Sequence, residues 1–305
     1  AGTAGCLMHA RLHPAGLRRE RRRIMKKTIS MVLVLSAACA LSGCAGGSGT
    51  STTAAETTAA ETTAAETSAE ETTTAPEAEE TTDSAEANAE VLSYSDYMAA
   101  ELDSEVTIQA YVQAKQSWWE DQATVYAQDQ DGGYFIYNMA CTEDEYELLQ
   151  PGTKIQVNGY KSEWSGEVEI VDGTFEVLEG EEPYIAEAMD VTDLLGTEDL
   201  IDYQNQFVAF TGMTVEAAGQ DESGNDVAFL YNWDGSGTEG DDLYFNASYN
   251  GETYTFTIES YLCDSSTDVY SAVKNLQVGQ TIDMEGFLYW YEGVNPHITS
   301  VTVVE

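Results

Sequence analysis

Positive charge almost disappears from this chain after Lys27. Eight of the 12 Lys and Arg residues lie at or before that point, and only Lys115, Lys154, Lys161 and Lys274 follow. Residues 91–305 set those four lysines against 42 acidic residues, a formal charge of −38. Non-specific nucleic-acid binding rests on neutralising phosphates with Lys and Arg. A domain this acidic repels polyanions over a Debye length of about 8 Å, so charge argues against nucleic acid as a partner. Histidine is nearly absent too, with His297 the only one after Cys44. A Ser/His/Asp relay would have to use it, and it follows Pro296 in what reads as a terminal strand. There is no Gly-x-Ser-x-Gly, no His-Glu-x-x-His and no P-loop. No catalytic residues and no cofactor are therefore expected. No Cys-x-x-Cys pair or other metal-ligand spacing occurs.

Long hydrophobic runs are also missing. The longest, Ile29 to Leu41, has 13 residues, short of the ~20 that a spanning helix needs. It follows Met25-Lys26-Lys27 and ends in Leu41-Ser42-Gly43-Cys44. A basic start, a short apolar stretch and small residues before a cleavage point form a secretory signal. The cysteine directly after Leu-Ser-Gly makes it resemble a bacterial lipoprotein signal. That resemblance implies that Cys44 carries lipid and that the mature chain sits on the extracytoplasmic face of the membrane. The alternative is an ordinary cleaved signal with a chance cysteine. Lipid chains gain about 0.8 kcal/mol per buried CH₂, so several on one cysteine anchor stably. Residues 1–24 read as an upstream extension and 25–43 as the signal peptide.

Residues 44–90 contain no aromatic side chain and no basic one, against 11 acidic residues. Thr-Thr-Ala-Ala-Glu occurs at 52–56, 57–61 and 62–66 and then decays. Such a segment cannot bury enough apolar surface to offset its ordering entropy, so a disordered, solvated spacer is expected. The β-branched Thr pairs oppose the helix that Ala and Glu would favour.

An internal repeat organises the remainder. Leu149-Gln-Pro-Gly-Thr-Lys-Ile-Gln-Val-Asn-Gly-Tyr160 aligns with Leu276-Gln-Val-Gly-Gln-Thr-Ile-Asp-Met-Glu-Gly-Phe287. Cys141 and Cys263 hold matching places upstream. They are expected as buried free thiols, the alternative being a bridge between the copies. Two copies of one fold follow, at 91–183 and 184–305. In the first, alternation marks a strand at Val106–Gln113. Ala123–Gln128 and Tyr134–Met139 form a hairpin across Asp129-Gln-Asp-Gly-Gly. Thr142 caps a short helix with Glu145 at the capping-box spacing, and strands Lys154–Tyr160 and Glu167–Leu178 follow. Copy two repeats the order with strands at 207–215, 228–233, 243–247 with 252–261, 281–289 and 297–304, and a helix at 266–276. The fold class is all-β with one short helix per domain: two tandem five-stranded barrels after the disordered spacer. Strand-strand-strand-helix-strand-strand is the order of the oligonucleotide/oligosaccharide-binding (OB) barrel.

The segments Val125-Tyr-Ala-Gln-Asp-Gln-Asp-Gly-Gly-Tyr-Phe-Ile-Tyr137, Pro151–Tyr160 and Trp164-Ser-Gly-Glu-Val-Glu-Ile170 resemble OB domains of secreted bacterial proteins. These include surface lipoproteins of gut Firmicutes and accessory domains of extracellular nucleases. The resemblance implies the barrel; nothing here matches a nuclease catalytic segment.

An OB barrel binds on strands two and three, flanked by the one–two and four–five loops. In copy one those loops carry Lys115, Trp118, Trp119, Lys161 and Trp164, and the strands carry Tyr126, Tyr134 and Tyr137. Aromatics beside a cation can stack bases or sugar faces, so these eight are the ligand-binding candidates. The alternative is that Trp118 and Trp164 plug the barrel ends while Tyr126 or Tyr137 fills its core. Copy two offers Trp233, Trp290 and Tyr291 without adjacent lysines and is expected to be the lesser binder. The acidic turns at 129–131, 221–226 and 234–242 do not fit EF-hand spacing and read as solvated hairpin turns, leaving weak Ca²⁺ binding as the one metal reading. The expected role is a non-catalytic surface binder of an extracellular glycan or a neutral or cationic ligand. A structural role docking an envelope protein and capture of single-stranded nucleic acid are the alternatives.

Overall fold

The structure, a computed structural model, describes residues 90–304. The signal segment, Cys44 and the repeat spacer lie outside the described residues. Two barrels follow one another. In the first, strands β1 (Glu105–Lys115), β2 (Gln122–Gln128), β3 (Gly133–Ala140), β4 (Lys154–Trp164) and β5 (Glu167–Val177) close in the order β1-β2-β3-β5-β4. In the second, β7 (Phe207–Glu216), β11 (Leu243–Tyr249), β12 (Glu252–Ile258), β13 (Thr281–Phe287) and β14 (His297–Val304) close the same way, β7-β11-β12-β14-β13. In both, the third and fifth strands meet in parallel and the other neighbours are antiparallel. This is the expected tandem OB-fold architecture.

The additions are short. A helix, α1 (Tyr94–Ala99), precedes β1; Ser93 caps it by accepting from the Asp96 N–H, and it buries Tyr97. Sequence reading places no helix there, since six residues carry too little periodicity to show one. Helix α2 (Glu143–Tyr146) bridges β3 and β4 and carries the expected Thr142/Glu145 capping box. Helix α3 (Asp268–Lys274) holds the matching place in barrel two, capped by Thr267. Strand β6 (Met189–Asp190) pairs with β7, and β8 (Gly219–Gln220) with β9 (Asp226–Val227). The segment 228–233, read as strand two of copy two, contributes only β10 (Phe229–Tyr231), which extends the sheet beside the start of β11. β11 itself is the second strand, because its far half pairs with β7.

Alternation assigns the faces. Ala123, Val125 and Ala127 of β2 and Tyr134 and Ile136 of β3 point into the core of barrel one, with Ile108, Val112, Ile155, Val157 and Ile170. Phe210, Met213, Phe245, Phe256, Ile258, Tyr270, Ile282 and Ile298 build the core of barrel two. Cys141 and Cys263 are both buried free thiols. Burial pushes the first up to about 11 and the second up to about 12, so neither is a reactive thiolate.

Candidate ligand-binding face

In β2 every residue from Ala123 to Gln128 is buried, on both faces of the strand. Its inward residues meet the core of barrel one, and its outward residues meet barrel two. Tyr126 and Phe135 pack with Phe287 as a separate apolar cluster, rimmed by Tyr137, Phe207, Leu262 and Tyr289. Tyr126 stacks on Phe287 with ring centroids 4.3 Å apart, and its hydroxyl lies 3.0 Å from His297 Nδ1. The same seam takes up both loops of the expected cleft. Ser117 in the β1–β2 loop donates through its backbone N–H to the Tyr261 carbonyl at 2.7 Å. At the β4–β5 turn, the Ser165 carbonyl accepts from the Glu292 N–H at 2.7 Å, and Glu167 Oε2 accepts from the Trp290 N–H at 2.8 Å. The linker and the start of β7 join in: Gln204 Nε2 donates to the Gly166 carbonyl, and Gln128 Oε1 accepts from the Phe207 N–H. The face on which an OB barrel ordinarily takes its ligand is, in barrel one, the seat of barrel two.

This decides the position of the eight candidates. Tyr126 is at the seam, with Tyr137 half-buried at its rim. Tyr134 points the other way, into the core, where it packs on Tyr94 and Tyr97 and donates to Asp129 Oδ2. Trp118 is half-buried and donates from Nε1 to the Cys141 carbonyl at 2.9 Å. Lys115 donates to the Tyr146 carbonyl at 2.6 Å, with its ammonium 3.7 Å from the Tyr146 ring centroid. Lys161 is buried and donates to the Met98 and Ala100 carbonyls, closing the C-terminal end of α1. Burial lowers the pKa of both lysines. Trp164 is half-buried opposite Glu167. Trp119 alone of the eight is exposed, at 50%. The two remaining lysines are engaged as well, Lys154 with Glu181 and Lys274 with Glu239. All four lysines among the described residues thus have partners within the chain.

The equivalent face of barrel two is open at its Thr253 and Thr255 end, whereas Thr257, on the row of Tyr244, is buried. Leu243, Phe245 and Ala247 of β11 point inward, opposite Ile258, Phe256 and Tyr254. The outward rows are then Tyr244 with Thr257, Asn246 with Thr255 and Ser248 with Thr253. Thr253 and Thr255 are exposed, and Asn246 and Ser248 half-buried. The groups are braced by one another: Thr255 Oγ1 donates to Asn246 Oδ1, Asn246 Nδ2 to the Ala217 carbonyl, Ser248 Oγ to Glu216 Oε1, and Thr257 Oγ1 to Asn295 Oδ1. The β13–β14 loop brings Tyr291, 47% exposed, close enough to act electrostatically on Tyr244. Burial, with Asp242 and Glu259, pushes the Tyr244 phenol up to about 12. It stays a neutral donor. The β7–β11 connection carries Trp233, the most exposed aromatic of this barrel at 76%. Sequence reading passed over Tyr244, Asn246, Thr255 and Asn295. The signal for the first two was present, because the inward run Leu243, Phe245, Ala247 leaves Tyr244, Asn246 and Ser248 outward.

Among the described residues, no group of three or more His, Cys, Asp or Glu side chains is placed to hold a metal ion. The acidic turns spend their carboxylates on backbone amides. Asp129 Oδ1 accepts from Asp131 and Gly132, Asp221 Oδ1 from Ser223 and Asn225, and Asp234 Oδ1 from Ser236.

The class is thus a tandem OB-fold protein whose barrels are packed face to flank. No protein-family model matches the chain, and no curated protein does. Solved structures are similar at low identity. The tetrameric p202 HIN2 structure is 12% identical over 67% of this chain and 96% of its own, with a TM-score of 0.29. The Ifi202 HINa domain in complex with 20-bp double-stranded DNA is 10% identical over 66% and 98%, at 0.30. A replication protein A heterotrimer bound to single-stranded DNA is 15% identical over 66% of this chain and about half (49%) of that one, at 0.28. Two of these structures are described with bound DNA, a partner class that the net charge of this chain was read to exclude. Net charge is a sum over the whole domain, whereas stacking on an OB face is a local contact that every base can make.

Proposed function

We propose that this chain is a non-catalytic binding protein that takes its ligand on the outer face of barrel two and is tethered to the membrane through lipid on Cys44. The observation that carries the reading is the asymmetry of the two barrels. The strand-two/strand-three face is sealed in the first and open at its Thr253 and Thr255 end in the second, where Tyr244, Asn246, Thr255, Asn295 and Tyr291 offer phenol, amide and hydroxyl groups. Rings and neutral hydrogen-bonding groups without a cation suit a chain of hydroxyl-bearing sugar rings. The second reading is single-stranded nucleic acid, whose bases would stack on Tyr244 and Tyr291 at about 1–3 kcal/mol each; the similar structures described with bound DNA favour it. With its lysines engaged, either ligand should bind with a shallow salt dependence.

The test is a calorimetric titration of the full chain with soluble wall glycans, other oligosaccharides and single-stranded oligonucleotides. The comparison is an Asn246→Ala/Tyr291→Ala variant, with Trp119→Ala as the control from barrel one. Saturable binding lost in the double variant and kept in Trp119→Ala supports the site, and the responding ligand names the class. Binding lost only in Trp119→Ala would move the site to barrel one. Silence toward every ligand would sink the ligand-binding reading and leave protein docking. Incorporation of labelled fatty acid, lost on Cys44→Ser, tests the anchor.

A further inference from the structure

Where the two barrels meet, two polar atoms are buried without a partner: Glu167 Oε1 and Asn205 Oδ1. Glu167 begins β5 and has no exposed surface. Asn205 lies in the linker, 3% exposed. The other atom of each group is committed. Glu167 Oε2 accepts from the Trp290 N–H of barrel two at 2.8 Å. Asn205 Nδ2 donates to the Val168 carbonyl at 3.0 Å, and the Asn205 backbone N–H donates to the Leu288 carbonyl at 2.9 Å. Turning the Asn205 amide over would set its oxygen against the Val168 carbonyl, so the orientation is fixed by its neighbours. The Asn205 side chain lies against the Glu167 carboxyl, close enough to lower its pKa through a hydrogen bond. Glu167 Oε1 and Asn205 Oδ1 nonetheless remain buried acceptors without a donor, a costly state in a buried seam.

We propose that Glu167 is held as a neutral acid whose Oε1–H donates to Asn205 Oδ1, so that one proton completes the polar seam and latches barrel one to barrel two. A single added proton satisfies both orphaned atoms while Oε2 still accepts from Trp290. The surroundings favour the neutral form. Glu169 stands two residues along the same strand, and the phenols of Tyr94 and Tyr97 on α1 and of Tyr126 on β2 are the other ionisable groups coupled to it. Behind Tyr126 stands His297 of β14, itself kept neutral by burial. From the linker come the amides of Gln204 and Asn205, and from barrel two the Trp290 N–H. No cation is among them. Burial holds the carboxyl well above the usual carboxylate range, against the hydrogen bonds of Asn205 and the Trp290 N–H that favour the anion, with Glu169 adding to the rise.

The test compares the full chain with Glu167→Gln, an isostere that is neutral at every pH. The infrared difference spectrum at neutral pH should show a protonated-carboxyl C=O band that belongs to wild type alone; any other buried acid cancels. Thermal unfolding supplies the second readout. The unfolded chain releases this proton near pH 4.3 (roughly) and the folded one holds it. The wild-type melting temperature should therefore fall relative to the variant as pH rises from about 4 to about 7. Should Glu167→Gln fail to fold, Asn205→Ala is used instead. It removes the acceptor, and the acid band should shift to the higher frequency of an unbonded carboxyl. Absence of the band, or a melting-temperature difference that does not change with pH, would overturn the proposal, as would a band that ignores Asn205→Ala.

Discussion

The Tyr126 ring lies flat on that of Phe287, with centroids 4.3 Å apart and planes 10° from parallel. One ring belongs to the second strand of barrel one and the other to the fourth strand of barrel two. The contact is therefore both the hydrophobic centre of the seam and the reason the first barrel's cleft is closed. Phe287→Ala should cost about 3–4 kcal/mol, the usual loss for a buried phenyl ring. Tyr126→Phe, which keeps the stack and loses only the hydroxyl's partner on His297, should cost about 1 kcal/mol. Urea denaturation of both variants measures the difference. Equal losses would mean that the ring contact does not organise the seam.

Gly133, the first residue of β3, approaches the linker so closely that a Cβ there would run into the backbone carbonyl of Asn205. Backbone cannot swing away as a side chain can, so Gly133→Ala should destabilise by about 2–3 kcal/mol. Gly173→Ala makes the comparison: its Cβ would meet Ile136, Met139 and Val157 at 3.5–3.6 Å, ordinary contact distance, and should be tolerated. Thermal melts of the pair decide it, and a tolerated Gly133→Ala would mean that the linker is not pressed against β3.

Glu259 follows β12, with Oε2 accepting from the Leu262 N–H and Oε1 from the Tyr261 N–H. Burial, then Asp242, pushes it from its ordinary 4.5 up to about 8. A carboxyl raised on folding costs nothing while both states are protonated. Its cost grows as the unfolded state ionises above pH 4.5 and levels off once pH passes the folded value of about 8. Stability should therefore decline across that window, at up to about 1.4 kcal/mol per pH unit for one proton. Glu259→Gln should flatten the decline in a pH series of chemical denaturation. An unchanged slope would mean that Glu259 ionises normally in the fold.

His297, stacked on Tyr289 at 4.3 Å and beside the Tyr126 hydroxyl, is lowered by burial from 6.5 to about 3. The folded imidazole stays neutral while the unfolded one takes a proton, so this group's contribution is lost as pH falls below 6.5. Imidazole nitrogen shifts followed by NMR should stay constant down to pH about 4. A midpoint near the ordinary value would mean that water reaches the seam.

The turn between β1 and β2 places Glu120 and Asp121 at φ 48° and 58°, inside the Trp119–Gln122 bridge. Two successive left-handed residues are what Asn-Gly supplies without strain. Replacing Glu120-Asp121 by Asn-Gly should stabilise by about 1 kcal/mol without altering the exposed Trp119. A melting temperature that fails to rise would show that the acidic pair makes a compensating contact.

Local chemistry alone determined much of this protein. Period-two alternation set the strands, Asp129-Gln-Asp-Gly-Gly set a hairpin, and Thr142 with Glu145 set the cap of α2, because each depends on residues a few positions apart. The repeat of Leu149–Tyr160 in Leu276–Phe287 made the tandem legible for the same reason. What only the tertiary structure decided is which face of each barrel is free. Tyr126 and Phe287 are far apart in the chain, and nothing near either one announces that they stack. Strand alternation tells which side chains share a face but not what covers that face. So Lys161 read as a cleft cation, though it closes a helix end. Likewise the outward placing of Tyr244 and Asn246 follows from the pairing of β11 with both β7 and β12. Burial of a face is a long-range property, fixed by the packing of one barrel against the other.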